Sequence, residues 1–116
     1  MGGLVGHLSG LAAEGAVERQ YEAEGRQIAA RRWRGTWGEI DLIAREGDTV
    51  VFVEVKKAAT HAQAAERLGW RQVQRICAAA QEFLDGEPRR GLTDVRFDVA
   101  LVDAMGRVEI RQNAWA

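Results

Sequence analysis

The chain has one cysteine, Cys77, and one proline, Pro88, in 116 residues. A lone thiol excludes an internal disulfide and a cysteine-based zinc cluster, and it fits a reducing compartment. The two histidines, His7 and His61, lack metal-ligand spacing and are read as surface residues. Ser9 has no convincing base partner, and no glycine-rich stretch matches a nucleotide-binding loop. No apolar run approaches the roughly 20 residues of a membrane span. The opening residues 1–7 have no basic n-region of a secretory signal, so a cytoplasmic protein without a membrane partner is expected. Net charge is also scarce, at −1 from 16 basic and 17 acidic residues, which argues against strong nonspecific attraction to nucleic acid.

What is present reads as one α/β domain over residues 1–116. Hydrophobic residues make up 47% and charged residues 28%, ordinary for a globular chain. Leu4, Leu8, Leu11, Val17 and Tyr21 recur at helical spacing over 4–24, and Gly25 is a stop. An irregular strand is expected over 26–34 and a turn at Gly35-Thr36. A hairpin follows, with strands at 38–44 and 49–56 joined through Arg45-Glu46-Gly47-Asp48. Residues 57–64 read as a mobile loop. Val73, Ile76, Cys77, Ala80, Phe83 and Leu84 mark a helix from Trp70 to Leu84, ended before Pro88. Strands are expected at 95–102 and 107–112, with a turn at Met105-Gly106. The order is α-β-β-β-α-β-β, a mixed sheet flanked by helices.

Charge is distributed unevenly. Residues 10–25 are acidic, whereas 26–34 carry Arg26, Arg31, Arg32 and Arg34 with no acid, and 56–75 are again basic. Such clusters can form a phosphate-attracting face on a neutral protein, or be solvated surface.

The hairpin carries three charges in apolar surroundings: Asp41 in Gly-Glu-Ile-Asp-Leu-Ile-Ala, and Glu54 and Lys56 in Val-Val-Phe-Val-Glu-Val-Lys. Burying such charges is costly unless they are paired or bound to a metal. Strand alternation puts Phe52, Glu54 and Lys56 on one face, with Glu54 and Lys56 about 6.6 Å apart along the strand. If the register sets Asp41 beside Glu54, two carboxylates and an ammonium converge. A hard divalent cation relieves the repulsion of the acids, and a nearby lysine can stabilise phosphoryl charge or orient a water. The same pattern also suits an edge strand whose charges face water. Glu39 is a candidate for supporting the acids or for simple exposure. Trp33 and Trp37 could stack on bases or fill core, and Asp98, interrupting another apolar strand, suits a structural hydrogen-bonding role.

These motifs resemble the YraN-like family, an uncharacterised bacterial group in the restriction-endonuclease-like (D-x(n)-D/E-x-K) superfamily. The resemblance extends upstream to Glu14 and downstream through Arg96-Phe97-Asp98-Val99 and Asn113-Ala114-Trp115. It implies an αβββαβ core similar to that of archaeal Holliday-junction resolvases, with a Mg²⁺-dependent site at which Mn²⁺ could substitute. Asp41, Glu54 and the Val55 carbonyl would be ligands, Lys56 the catalytic lysine, and Glu14 a further acid. Gln72 stands where the family often has a lysine. Arg31, Arg32, Arg34, Lys57, Arg71, Gln72 and Arg75 are the candidates for contacting nucleic acid. The expected function is hydrolysis of DNA phosphodiester bonds, with branched or damaged DNA as candidate substrates and a homodimer as a candidate assembly. The alternative is a nucleic-acid-binding or scaffold module that keeps the fold without cleaving.

Overall fold

The computed structural model describes residues 3–115, with side chains from residue 10 onward. The side chains of Leu4, His7, Leu8 and Ser9 therefore lie outside the described residues. Helix α1 (Gly3–Ala23) leads to strands β1 (Gln27–Arg34), β2 (Glu39–Glu46) and β3 (Thr49–Lys57). Helices α2 (His61–Glu66) and α3 (Trp70–Leu84) follow, then β4 (Asp94–Val102) and β5 (Val108–Arg111). Gly25, at φ +82°, ends the first helix, and Gly47, at φ +59°, turns the hairpin between β2 and β3.

The five strands form one mixed sheet in the order β1-β2-β3-β4-β5. Strands β3 and β4 are parallel, and the other neighbours are antiparallel. A parallel pair needs a crossover connection, which α2 and α3 supply. The expected mixed α/β architecture and element order are present.

Alternation on β3 divides the core. Val51 and Val53 are buried against Ala13, Val17 and Tyr21 of α1, whereas Val50 and Phe52 are buried with Ala79 and Ala80 of α3 on the opposite face. Leu11 does not join the helical stripe; it is 40% exposed, and Ala13 is buried instead. Phe52 meets Phe83 edge-on at 5.8 Å and stacks on Phe97 at 5.4 Å. Cys77 is half-buried on α3 and accepts the Trp115 indole N–H at 3.4 Å.

The expected loop over 57–64 is instead largely ordered. β3 runs to Lys57, and Thr60 caps α2 by accepting the Gln63 N–H at 3.1 Å. An alanine-rich turn with a threonine cap has the local preference for helix, and burial of Ala64 beside Val99 and Leu101 fixes it to β4.

Asp98 is wholly buried, and its carboxylate is fully engaged. It accepts the Tyr21 hydroxyl at 2.8 Å, Arg96 Nε at 2.9 Å and the Asn113 N–H at 3.0 Å. Burial, then the charge of Asp98 and the bond to it, pushes the Tyr21 hydroxyl pKa well up. This residue ties α1, β4 and the C-terminal segment together, the structural role its sequence context suggests. Asp98→Ala would leave the Tyr21 hydroxyl and the Asn113 N–H without their acceptor and Arg96 with Glu46 alone, and should cost about 3–5 kcal/mol in urea unfolding, whereas Tyr21→Phe should cost about 1 kcal/mol. A loss below about 1 kcal/mol for Asp98→Ala would contradict this account.

Candidate functional site

The ladder between β2 and β3 ends at Leu42 opposite Val53. Continuing that register would set Asp41 opposite Glu54, but there the strands part, and a side chain replaces the backbone partner. Asp41 Oδ2 accepts the Val55 N–H at 2.8 Å. The N–H and C=O of one strand residue point to the same side, so the Val55 carbonyl also faces this fork.

Strand β1 contributes to the opening. Arg32 lies at φ +48°, a left-handed conformation that is uncommon for a residue with a Cβ. Trp33 pairs with Ile40 and Arg31 with Leu42 in one register, so Arg32 and Asp41 lie across from each other between these pairs, and the register shift of the ladder lies between Ile28 and Ala30. The kink lets consecutive arginines reach α1. Arg31 grips Glu18, and Arg32 grips Glu14 with two bonds of 3.1 and 2.9 Å. A cleft of about 170 Å³ is lined by Glu14 and Arg32 on one side and Asp41 on another.

Glu54 is only 5% exposed. Burial, then a hydrogen bond with Asp41 and the charge of Asp41, pushes its pKa up to about 9. Glu14 adds to the rise, and Lys56 opposes it. Lys56 Nζ lies 3.9 Å from Glu54 Oε1 and donates to Gln72 Oε1 at 2.7 Å. Asp41, Glu54 and Lys56 thus meet at the fork, where burial and the charge of Asp41 oppose ionisation of Glu54.

The same surroundings bear on whether a cation fits. A carboxyl whose ionisation is opposed by burial and by a neighbouring carboxylate is relieved by a positive ion bound beside it. Among the described residues, no three His, Cys, Asp or Glu side chains converge tightly enough to enclose an ion by themselves. Two carboxylates with one backbone carbonyl and waters is the donor set that Mg²⁺ takes, since it keeps much of its hydration. The residues at the fork fit such an ion.

The remaining candidates are placed in varied surroundings. Glu14 borders the cleft with Asp41 but is engaged by Arg32. Arg34 pairs with Glu39 at 3.1 Å. Arg31, Arg32 and Arg34 are therefore held by glutamates, and a phosphate must compete for them. Lys57 is half-buried at the end of β3. Arg71 and Arg75 are exposed on α3 and share a groove with Trp37. His61 faces the start of β5: its Nε2 lies 2.9 Å from the Arg107 carbonyl oxygen, and its ring nitrogens lie 3.9 Å from Asp103 and 3.6 Å from Glu109. Sequence reasoning matched Gln72 to a phosphate contact and missed its grip on Lys56. A polar residue early on α3 was the available signal. It also missed Glu82, whose carboxylate holds the turn before β2 and has no sequence mark that sets it apart.

Fold and site together define an α/β protein with two carboxyls and a lysine gathered where a mixed sheet splits. The chain belongs to the uncharacterised protein family UPF0102, whose model matches residues 13–102. It is 63% identical over 116 residues to a UPF0102 protein of Cereibacter sphaeroides, covering 100% of this chain and 99% of that one. A UPF0102 protein of Ruegeria pomeroyi is 59% identical over 113 residues, covering 97% and 92%. Another, from Roseobacter denitrificans, is 51% identical over 112 residues, covering 97% and 87%. Among the described residues, no helix is long and apolar enough to cross a membrane.

The raised pKa of Glu54 has a stability consequence in metal-free protein. Between the ordinary value of 4.5 and about 9, the unfolded chain has lost this proton and the folded chain keeps it. Stability from this group is therefore full below pH 4.5 and falls as pH rises towards 9. Glu54→Gln in EDTA should flatten that fall and raise Tm by roughly 5 °C at pH 8, with little change at pH 4. Thermal unfolding followed by circular dichroism checks this; an equal shift at both pH values would contradict it.

Proposed function

We propose that this protein is a metal-dependent phosphodiester hydrolase acting on DNA. The observation that carries the reading is the fork itself, where Asp41 Oδ2 accepts the Val55 N–H at 2.8 Å, Glu54 is buried and Lys56 Nζ lies 3.9 Å from Glu54 Oε1. In this reading Asp41, Glu54 and the Val55 carbonyl hold Mg²⁺ or Mn²⁺. The bound ion would polarise a phosphoryl oxygen and acidify a water.

The chain's own residues do the rest. The Val55 N–H fixes one oxygen of Asp41 and leaves the other towards the fork. Gln72 takes one donor of the Lys56 ammonium, and the remaining donors can meet a phosphoryl oxygen or orient the attacking water. Burial of Glu54 keeps this charge balance out of bulk water, where it would be screened. Glu14, braced by Arg32, sits across the cleft where it could accept a bond from a water. The order of the elements and the D-x(n)-E-x-K spacing agree with the restriction-endonuclease-like resemblance. Branched or damaged DNA are the candidate substrates, and a homodimer would offer two sites to a two-fold junction.

The test is incubation of purified protein with plasmid, single-stranded and four-way-junction DNA in Mg²⁺ or Mn²⁺. Cleavage should vanish in EDTA, and Asp41→Ala and Lys56→Ala should each slow it by about 10²-fold or more. Salt-sensitive binding with no cleavage of any substrate would overturn the reading and favour a module that binds nucleic acid without cutting it.

A further inference from the structure

The two tryptophans around the first turn have opposite fates. Trp33 packs edge-on against Phe83 at 5.5 Å, whereas Trp37 is 65% exposed. Exposure of an indole on a loose loop would mean little. This loop is pinned, however. The Gly35 N–H bonds the Gly38 carbonyl at 2.9 Å, and the Glu82 carboxylate accepts the N–H groups of Thr36 and Trp37 at 3.0 and 3.2 Å. A Cβ at Gly35 would come within 2.9 Å of the Trp33 ring, so the turn fits closely on the core. The backbone is thus held so that the Trp37 ring stands in solvent.

Trp37 forms one wall of an open groove of about 390 Å³, and Arg71 and Arg75 of α3 form the other. The arginines are four residues apart and share a helix face. Neither has an ion-pair partner among the described residues, in contrast to Arg31, Arg32 and Arg34. Gln72, next to Arg71 in the chain, holds the Lys56 ammonium at 2.7 Å. The groove lies where α3 packs on the start of β2: a Cβ placed at Gly38, just before the strand that carries Asp41, would come within 3.5 Å of Arg75 Cβ.

We propose that this groove binds single-stranded nucleic acid, with Trp37 stacking on an unpaired base and Arg71 and Arg75 contacting the adjoining phosphates. An aromatic platform beside cations matches the alternation of base and phosphate along one strand. A duplex keeps its bases stacked on each other and offers none to the indole. The inference rests on the nucleic-acid reading of the fork and specifies the form of its substrate: a strand with unpaired bases leading to Lys56.

Binding in EDTA separates this inference from catalysis. Fluorescein-labelled dT12, rU12 and a 12-bp duplex are titrated with protein and followed by anisotropy. The single strands should bind in preference to the duplex, and the relative affinity of dT12 and rU12 assigns the strand. Trp37→Ala should weaken single-strand binding by about tenfold, and Trp37→Phe should restore most of it. Arg71→Ala with Arg75→Ala should weaken binding and reduce the salt slope by about 1.4. Because these residues are exposed, circular dichroism should show unchanged folding. Single-strand binding indifferent to Trp37→Ala, or an equal loss for duplex and single strand, would overturn the proposal. Trp37-dependent binding with no cleavage in Mg²⁺ would leave it standing while removing the nuclease reading. Cleavage with binding indifferent to Trp37 would do the reverse.

Discussion

Glu54 is buried at the fork, where burial and the charge of Asp41 oppose its ionisation and Lys56 favours it. Much of the surrounding structure follows from this contact. β2 must leave β3 after Leu42, because Asp41 takes the Val55 N–H that a regular ladder would have paired with backbone. Lys56 must stay near, so Gln72 reaches from α3 to hold it. Glu14 must not crowd the pair with another free charge, and Arg32 engages it with both guanidinium branches. A fold selected only for stability would fill this fork with apolar side chains, since buried ion pairs seldom outperform them.

The kinked first strand shows how the charge blocks are used. The acidic stretch on α1 and the arginines of β1 neutralise each other through Glu14 with Arg32 and Glu18 with Arg31. Arg26 likewise lies against Glu24 and Glu46. Among the described residues, Arg71 and Arg75 of α3, which line a groove with Trp37, are not engaged in this way. The near-zero net charge thus hides a separation: glutamates of α1 paired with arginines of β1, and a groove on α3 lined by Arg71 and Arg75.

Much of the fold was legible in the sequence because its signals were local. The alternation of Val51, Val53 and Val55 with Phe52, Glu54 and Lys56 assigned the faces of β3, and Gly25 and Gly47 marked real chain reversals. The short helix at His61–Glu66 was hidden in an alanine-rich loop, although Thr60 was its cap signal. The site was legible in part. The trio of Asp41, Glu54 and Lys56 could be selected from the pattern, but not the parting of the strands, where the Asp41 side chain takes the Val55 N–H in place of a backbone partner. The engagement of Arg31 and Arg32 by α1 was equally out of reach, because no local pattern says which helix face will lie over which strand. Trp33 and Trp37 look alike in sequence and differ only through packing against Phe83.

The central claim is that the Asp41–Glu54 pair is a seat for a divalent cation. A crystal of the protein grown with Mn²⁺ and measured at the manganese absorption edge tests it most directly. The account predicts an anomalous peak between the two carboxyls, within about 2.0–2.4 Å of their oxygens and of the Val55 carbonyl. Carboxyls still hydrogen-bonded to each other at saturating Mn²⁺, with no peak between them, would contradict it.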